Sequence, residues 1–127
     1  MLATSLCVSA MSQEAPAGEI GRVTERRLGE ISGLVASTTQ PQVLWVINDS
    51  GNAPHLHAVD RKGAYLRGFP LRNVRNRDWE DLAGFVQDGQ GFLVIAEVGD
   101  NRARYATSSL VIVAEPDVAA PQVLDPE

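Results

Sequence analysis

The chain has 127 residues, 44% of them hydrophobic and 21% charged, which suits one globular domain and excludes a collagen-like or disordered chain. Its net charge of −5 lacks the basic footprint that phosphate binding needs, so nucleic acid is excluded as a partner and cations or neutral ligands fit better. The lone cysteine, Cys7, rules out an intrachain disulfide and a cysteine metal cluster.

Met1 to Ala10 is uncharged and mostly small or apolar, and Val8-Ser9-Ala10 fits a small-x-small cleavage pattern. No basic residue precedes it. The segment reads either as a truncated export signal, giving a periplasmic or secreted protein, or as a frayed end. No later run approaches the roughly 20 apolar residues of a membrane span. Ser12 to Gly18 is polar and reads as linker, so residues 1–18 stand apart from the fold. Ile20 to Leu28 mixes apolar and charged residues like an edge strand protected against pairing.

From Glu30 the pattern is short strands and turns. Ile31 to Ala36 is a small-residue strand. Val43 to Ile47 is almost continuously apolar, as in a strand buried on both faces. Asn48-Asp49-Ser50-Gly51-Asn52 breaks the chain. His55 to Asp60 and Ala64 to Leu71 are a third and a fourth strand. The series then restarts with Asp81 to Val86, Phe92 to Ala96 and Ser109 to Glu115. After Pro116 the chain turns proline-, alanine- and acid-rich. No stretch has helical periodicity.

The two series superimpose. Leu34 aligns with Leu82, Trp45 with Leu93, Asp49 with Glu97 and Gly51 with Gly99, each 48 residues apart. The third strands match at an offset of 55, Leu56 with Val111. Repeats of about 40–50 residues with four strands each are the signature of propeller blades. The expected fold is therefore all-β: two four-stranded blades over residues 19–116 of a β-propeller of about six blades. Residues 117–127 lead onward to further blades. A two-blade piece leaves apolar sheet faces bare, so self-association through those faces is expected.

Four motifs occur together and in order: Ile31-Ser32-Gly33-Leu34, Leu44 to Gly51 ending Asn-Asp-Ser-Gly, Asp78-Trp79-Glu80-Asp81-Leu82-Ala83, and Gly99 to Arg104 beginning Gly-Asp-Asn. Over Glu30 to Pro116 the chain resembles the start of a bacterial phytase-like or esterase-like β-propeller. More distantly it resembles the six-bladed group of paraoxonase, gluconolactonase and strictosidine synthase. The resemblance implies that Glu80 and Asp81 supply calcium ligands in a central channel. Independently of any family, Ca²⁺ takes hard oxygen ligands, which converging carboxylates provide. The competing reading pairs Asp78 and Glu80 with Arg75 and Arg77 as a solvated surface network.

Asp49 and Asn48, with Asp100 and Asn101, follow the two most buried strands at equivalent strand ends. They could complete one ring of oxygen ligands, or simply make turns. Arg67, Arg72, Arg75 and Arg77 could grip a phosphate or carboxylate, or neutralise the acids beside them. His55 and His57 share a strand face without an evident third metal ligand. Ser50 lacks the glycine frame of a nucleophile elbow. The metal candidates are thus Glu80, Asp81, Asp49 and Asp100, and the ligand candidates Arg75, Arg77, Asn48 and Asn101. Two functions fit: a calcium-assisted hydrolase of esters, lactones or phosphoesters, or a non-catalytic propeller that binds a protein or glycan around a structural ion.

Overall fold

Apolar runs bounded by turn residues become strands throughout the computed structural model, which describes residues 18–127. The signal-like segment and Cys7 lie outside the described residues. The protein is all-β. Its strands are β1 (Ile31–Ala36), β2 (Val43–Asn48), β3 (His55–Asp60), β4 (Tyr65–Pro70), β5 (Trp79–Gln87), β6 (Gln90–Glu97) and β7 (Ser109–Ala114). They form two antiparallel sheets ordered β1-β2-β3-β4 and β5-β6-β7, neither closed on itself. The second sheet has three strands rather than the four of a full blade, matching the three apolar runs of the second series.

Turn chemistry follows the residues. Asp88 and Gly89 both take positive φ, 50° and 79°, which matches a two-residue hairpin to the strand twist. Ile20 to Leu28 joins neither sheet, contrary to the edge strand expected. It runs extended and ends in a 3-10 turn, Arg26–Leu28, capped by the Glu25 carboxylate on the Arg27 amide at 3.1 Å. Local capping and the burial of Leu28 against Val46 and Val59 outweigh strand pairing there.

The main core lies between the sheets. Trp45, Ile47, Leu56, Ala58 and Phe69 of the first sheet meet Leu82, Leu93, Ile95, Val111 and Val113 of the second. Trp45 and Trp79 are wholly buried, and Trp45 stands edge-on to Phe69 at 5.7 Å. β5 packs across both β1 and β2. Gly33 makes the closest approach: a Cβ there would lie 2.9 Å from the Leu82 amide nitrogen and 3.0 Å from Ile47 Cδ1. Gly33→Val is expected to force the sheets apart and cost about 1–3 kcal/mol, the range for overpacking. An unchanged urea midpoint for that variant would show that the contact yields freely.

The internal repeat survives in the hydrogen-bond register, with one correction. Each first strand carries a bulge at the same place, between Ile31 and Gly33 in β1 and between Trp79 and Asp81 in β5, 48 residues on. Pairing then matches Val46 with Ile95 and His57 with Val111, offsets of 49 and 54 rather than 48 and 55. The one-residue slip matters because strand neighbours face opposite ways. Leu82, Ile95 and Val111 of the second sheet point at the first, while their equivalents Leu34, Val46 and His57 point away from the second. The sheets therefore stack front to back, as successive members of a series do.

Candidate functional site

The ends of β2 and β5 meet at one edge of the sheet pair, and three carboxylates gather there. One oxygen from each of Asp49, Asp78 and Glu80 lies within 4.8 Å of the others. Asp49 directly follows β2, its amide bonded to Glu30 O at 2.9 Å. Asp78 precedes β5, and Glu80 sits in the β5 bulge. Asn76 holds the two elements together. Its side-chain amide donates to Asn48 O and to Asp49 O, both at 2.8 Å, and its Oδ1 accepts from the Trp79 amide at 3.2 Å. Gly99 faces the cluster from the end of β6; any side chain there would collide with the Asp78 and Glu80 carboxylates.

Electrostatically the cluster is under load. Asp78 is only 7% exposed. Burial raises its pKa above the ordinary carboxylate range, and the Asp49 carboxylate beside it raises it further. Burial, then Asp49 and Asp78, raises Glu80 likewise. The nearby guanidinium is engaged elsewhere. Arg77 lies 3.6 Å from Glu97, donates to Thr107 O at 3.0 Å and stacks on Tyr105 at 4.0 Å. Among the described residues no ion pair reaches Asp49, Asp78 or Glu80, so the pairing with Arg75 and Arg77 weighed above is not formed. Three hard oxygen donors of this kind suit Ca²⁺ or Mg²⁺ better than a soft metal.

The other candidates fall in different places. Asp81 is exposed and its Oδ1 accepts from the Leu82 amide at 2.8 Å, on the face turned away from the first sheet. Asp100 lines a small cavity of about 210 Å³ with Asp78, Ser50, Arg77 and Asn101. Its carboxylate already accepts from the Arg104 and Tyr105 amides at 2.8 and 2.7 Å, which lowers its pKa. Arg75 is exposed at the surface. Asn48 lines a second, larger cavity with both histidines, apart from Arg77 and Asn101. The roles of Asp78, Asn76 and Gly99 were not read from sequence. The offset between Asn76 and Trp79 is a side-chain capping pattern that could have flagged Asn76.

His57 is 7% exposed, with Nδ1 3.2 Å from the Tyr65 hydroxyl. Burial, then His55 and Arg27, pulls its pKa down to about 4. A histidine pKa lowered below its unfolded value means the unfolded chain binds more protons in between. Stability is thus expected to fall as pH drops from about 6.5 toward about 4. Titrating the imidazole C–H resonances by NMR checks this; a His57 midpoint near 6.5 would refute it.

In comparisons with known proteins, no family model, no curated protein and no solved structure matches this chain.

Proposed function

We propose that the chain is part of a β-propeller of about six blades that carries a divalent-cation site of the Ca²⁺ type at Asp49, Asp78 and Glu80. The observation that carries this reading is the convergence of three carboxylates, one of them buried, with no cation of the protein paired to them. Like charges at such range repel, and a bound cation reverses the sign of that interaction. The propeller part is supported by the front-to-back stacking of two sheets with a bulge at the same position, since units stacked in one sense close into rings when the rotation allows. An extracytoplasmic location belongs to the same reading and is supported only by the Val8-Ser9-Ala10 pattern.

In such a site the ion would polarise the scissile group of an ester, lactone or phosphoester. Asp49, Asp78 and Glu80 would hold it, Asn76 would keep the two strand ends in register, and Arg77 lies beside the small cavity, where it could meet an anionic substrate group. The second reading, a structural ion in a binding propeller, is favoured by the burial of Asp78. Terbium separates the two. It substitutes for Ca²⁺, and Trp79, next in sequence to both Asp78 and Glu80, would sensitise its emission. Lifetimes in H₂O and D₂O count bound waters. Two or more waters support the hydrolase, none supports the structural ion, and absence of competition by Ca²⁺ sinks the cation site itself.

A further inference from the structure

On the face of the first sheet turned away from the second lies a cavity of about 640 Å³, and β3 brings both histidines of the chain to it. His55 and His57 alternate with Leu56 and Ala58, which enter the core between the sheets, so the two imidazoles share the outer face. Asn48 of β2, Tyr65 and Gly68 of β4 and Arg27 of the 3-10 turn close the walls. None of the three clustered carboxylates lines this cavity.

The histidines are largely uncommitted. Of their four ring nitrogens only one, Nδ1 of His57, has a hydrogen-bond partner among the described residues, the Tyr65 hydroxyl at 3.2 Å. That contact fixes the ring and leaves Nε2 free, the way an outer partner orients a metal-bound imidazole. The two rings have centroids 5.7 Å apart and planes 29° from parallel. Metal–nitrogen bonds of about 2.0–2.1 Å put the centroids of two imidazoles on one tetrahedral ion about 5 Å apart. Small rotations of the half-buried His55 close the difference. Gly68 gives the pair its room, since a Cβ there would lie 3.2 Å from His57 Nδ1 and 2.6 Å from the Tyr65 hydroxyl. Arg27 does not oppose a dication with a bare charge. Glu25 neutralises it through bonds of 2.9 and 3.1 Å, and its guanidinium lies over the Tyr65 ring at 4.3 Å.

We infer that His55 and His57 form a two-imidazole chelate for a divalent transition ion of the Zn²⁺ or Cu²⁺ type. Imidazole suits these borderline ions, whereas the carboxylate cluster suits Ca²⁺, so the chain holds two cation sites of different chemistry. Water fills the rest of the coordination shell, for which the cavity has room. Asn52 lines the same cavity and makes its hydrogen bonds through Nδ2, which leaves its Oδ1 uncommitted. Open coordination positions leave the ion free to take up a further ligand.

The chain has only two histidines, so their imidazole C–H resonances report on this site alone. The experiment titrates Zn²⁺ and, separately, Mg²⁺ at neutral pH in excess Ca²⁺, which competes for carboxylates and not for imidazole. Saturable shifts of both imidazoles at micromolar Zn²⁺, reversed by EDTA and absent with Mg²⁺, are expected. His55→Gln, at a half-buried position, is expected to weaken the Zn²⁺ response of His57 at least tenfold. Should His55→Gln melt early, Cu²⁺ gives a reading that needs no variant. As the tighter ion it is expected to broaden both imidazoles together at substoichiometric amounts. Shifts still unsaturated at millimolar Zn²⁺, equal shifts with Mg²⁺, an unchanged His57 response in a folded His55→Gln, or broadening of one imidazole alone by Cu²⁺ overturns the inference.

Discussion

Calcium at about a hundred times its dissociation constant is expected to stabilise the folded protein by about 2.7 kcal/mol. That raises its melting temperature by on the order of 10 °C for a domain of this size. The reason lies in what the empty cluster does. Asp78 and Glu80 have raised pKa values in the fold. A raised carboxylate pKa means the folded chain holds protons that the unfolded chain has released. The contribution is favourable at low pH and is lost as pH rises through the folded pKa. Without a cation, stability therefore declines toward neutral pH at this site. With calcium the dependence inverts, because the ion competes with those protons and binds more tightly as pH rises. Asp78→Asn removes the buried charge while keeping its shape. It is expected to melt no lower than the parent in EDTA and to lose the calcium response. Scanning calorimetry with and without calcium at two pH values reads all of this. A calcium shift of the same size in Asp78→Asn would remove the cluster from consideration.

Glu115→Ala is expected to cost on the order of 4 kcal/mol, judged from several charge-assisted hydrogen bonds and the donors left without acceptors. Glu115 is 8% exposed and follows β7. Burial opposes its charge, yet the Ser37 and Thr38 hydroxyls, the Trp45 indole and the Thr38 amide hold its pKa below the ordinary value. The indole Nε1 lies 2.8 Å from Oε1, and the Thr38 amide 3.2 Å from Oε2; both hydroxyls bond the same carboxylate. One side chain thus ties the β1–β2 turn and the central tryptophan of the first sheet to the last strand of the second. Gly91 leaves space for it, since a Cβ there would reach the Thr38 hydroxyl at 2.6 Å. Because this pKa is lowered, the stabilisation is present above the unfolded value and fades as pH falls through the folded one. Urea unfolding followed by the fluorescence of the two buried tryptophans measures the loss. A change under about 1 kcal/mol would mean that water replaces the carboxylate at little cost.

Both effects depend on residues whose importance only partly shows in the chain. The strands from Ile31 onward were legible because each is a short apolar run between turn residues, and that signal is local. The bulge repeat was half legible. The Asp-Trp-Glu-Asp and Asn-Asp-Ser-Gly segments marked matched strand ends, but apolar alignment alone placed Trp45 against Leu93. Pairing places it one residue further on, against Val94, because the β5–β6 hairpin holds one residue more than the β1–β2 connection, a difference that composition does not display. The candidate site divided in the same way. Asp49 and Glu80 were picked out and do converge. Asp81 was picked because the resemblance makes it a ligand together with Glu80, but it follows the bulge and is exposed on the face turned away from the first sheet. Asp78, set aside as half of a surface pair, is the buried member, because Arg77 turns to Glu97 and Tyr105 instead.

By itself the sequence determined an all-β chain, its turns, its two-fold internal series and an acidic, cation-tolerant character. These follow from apolar spacing, turn residues and charge. Only the folded arrangement decided which acids meet, that Asn48 and the histidines line a separate cavity, and that Glu115 bridges the sheets. Those outcomes depend on partners many residues away, and which face each residue of the second strand takes turns on a single extra residue in the β5–β6 hairpin.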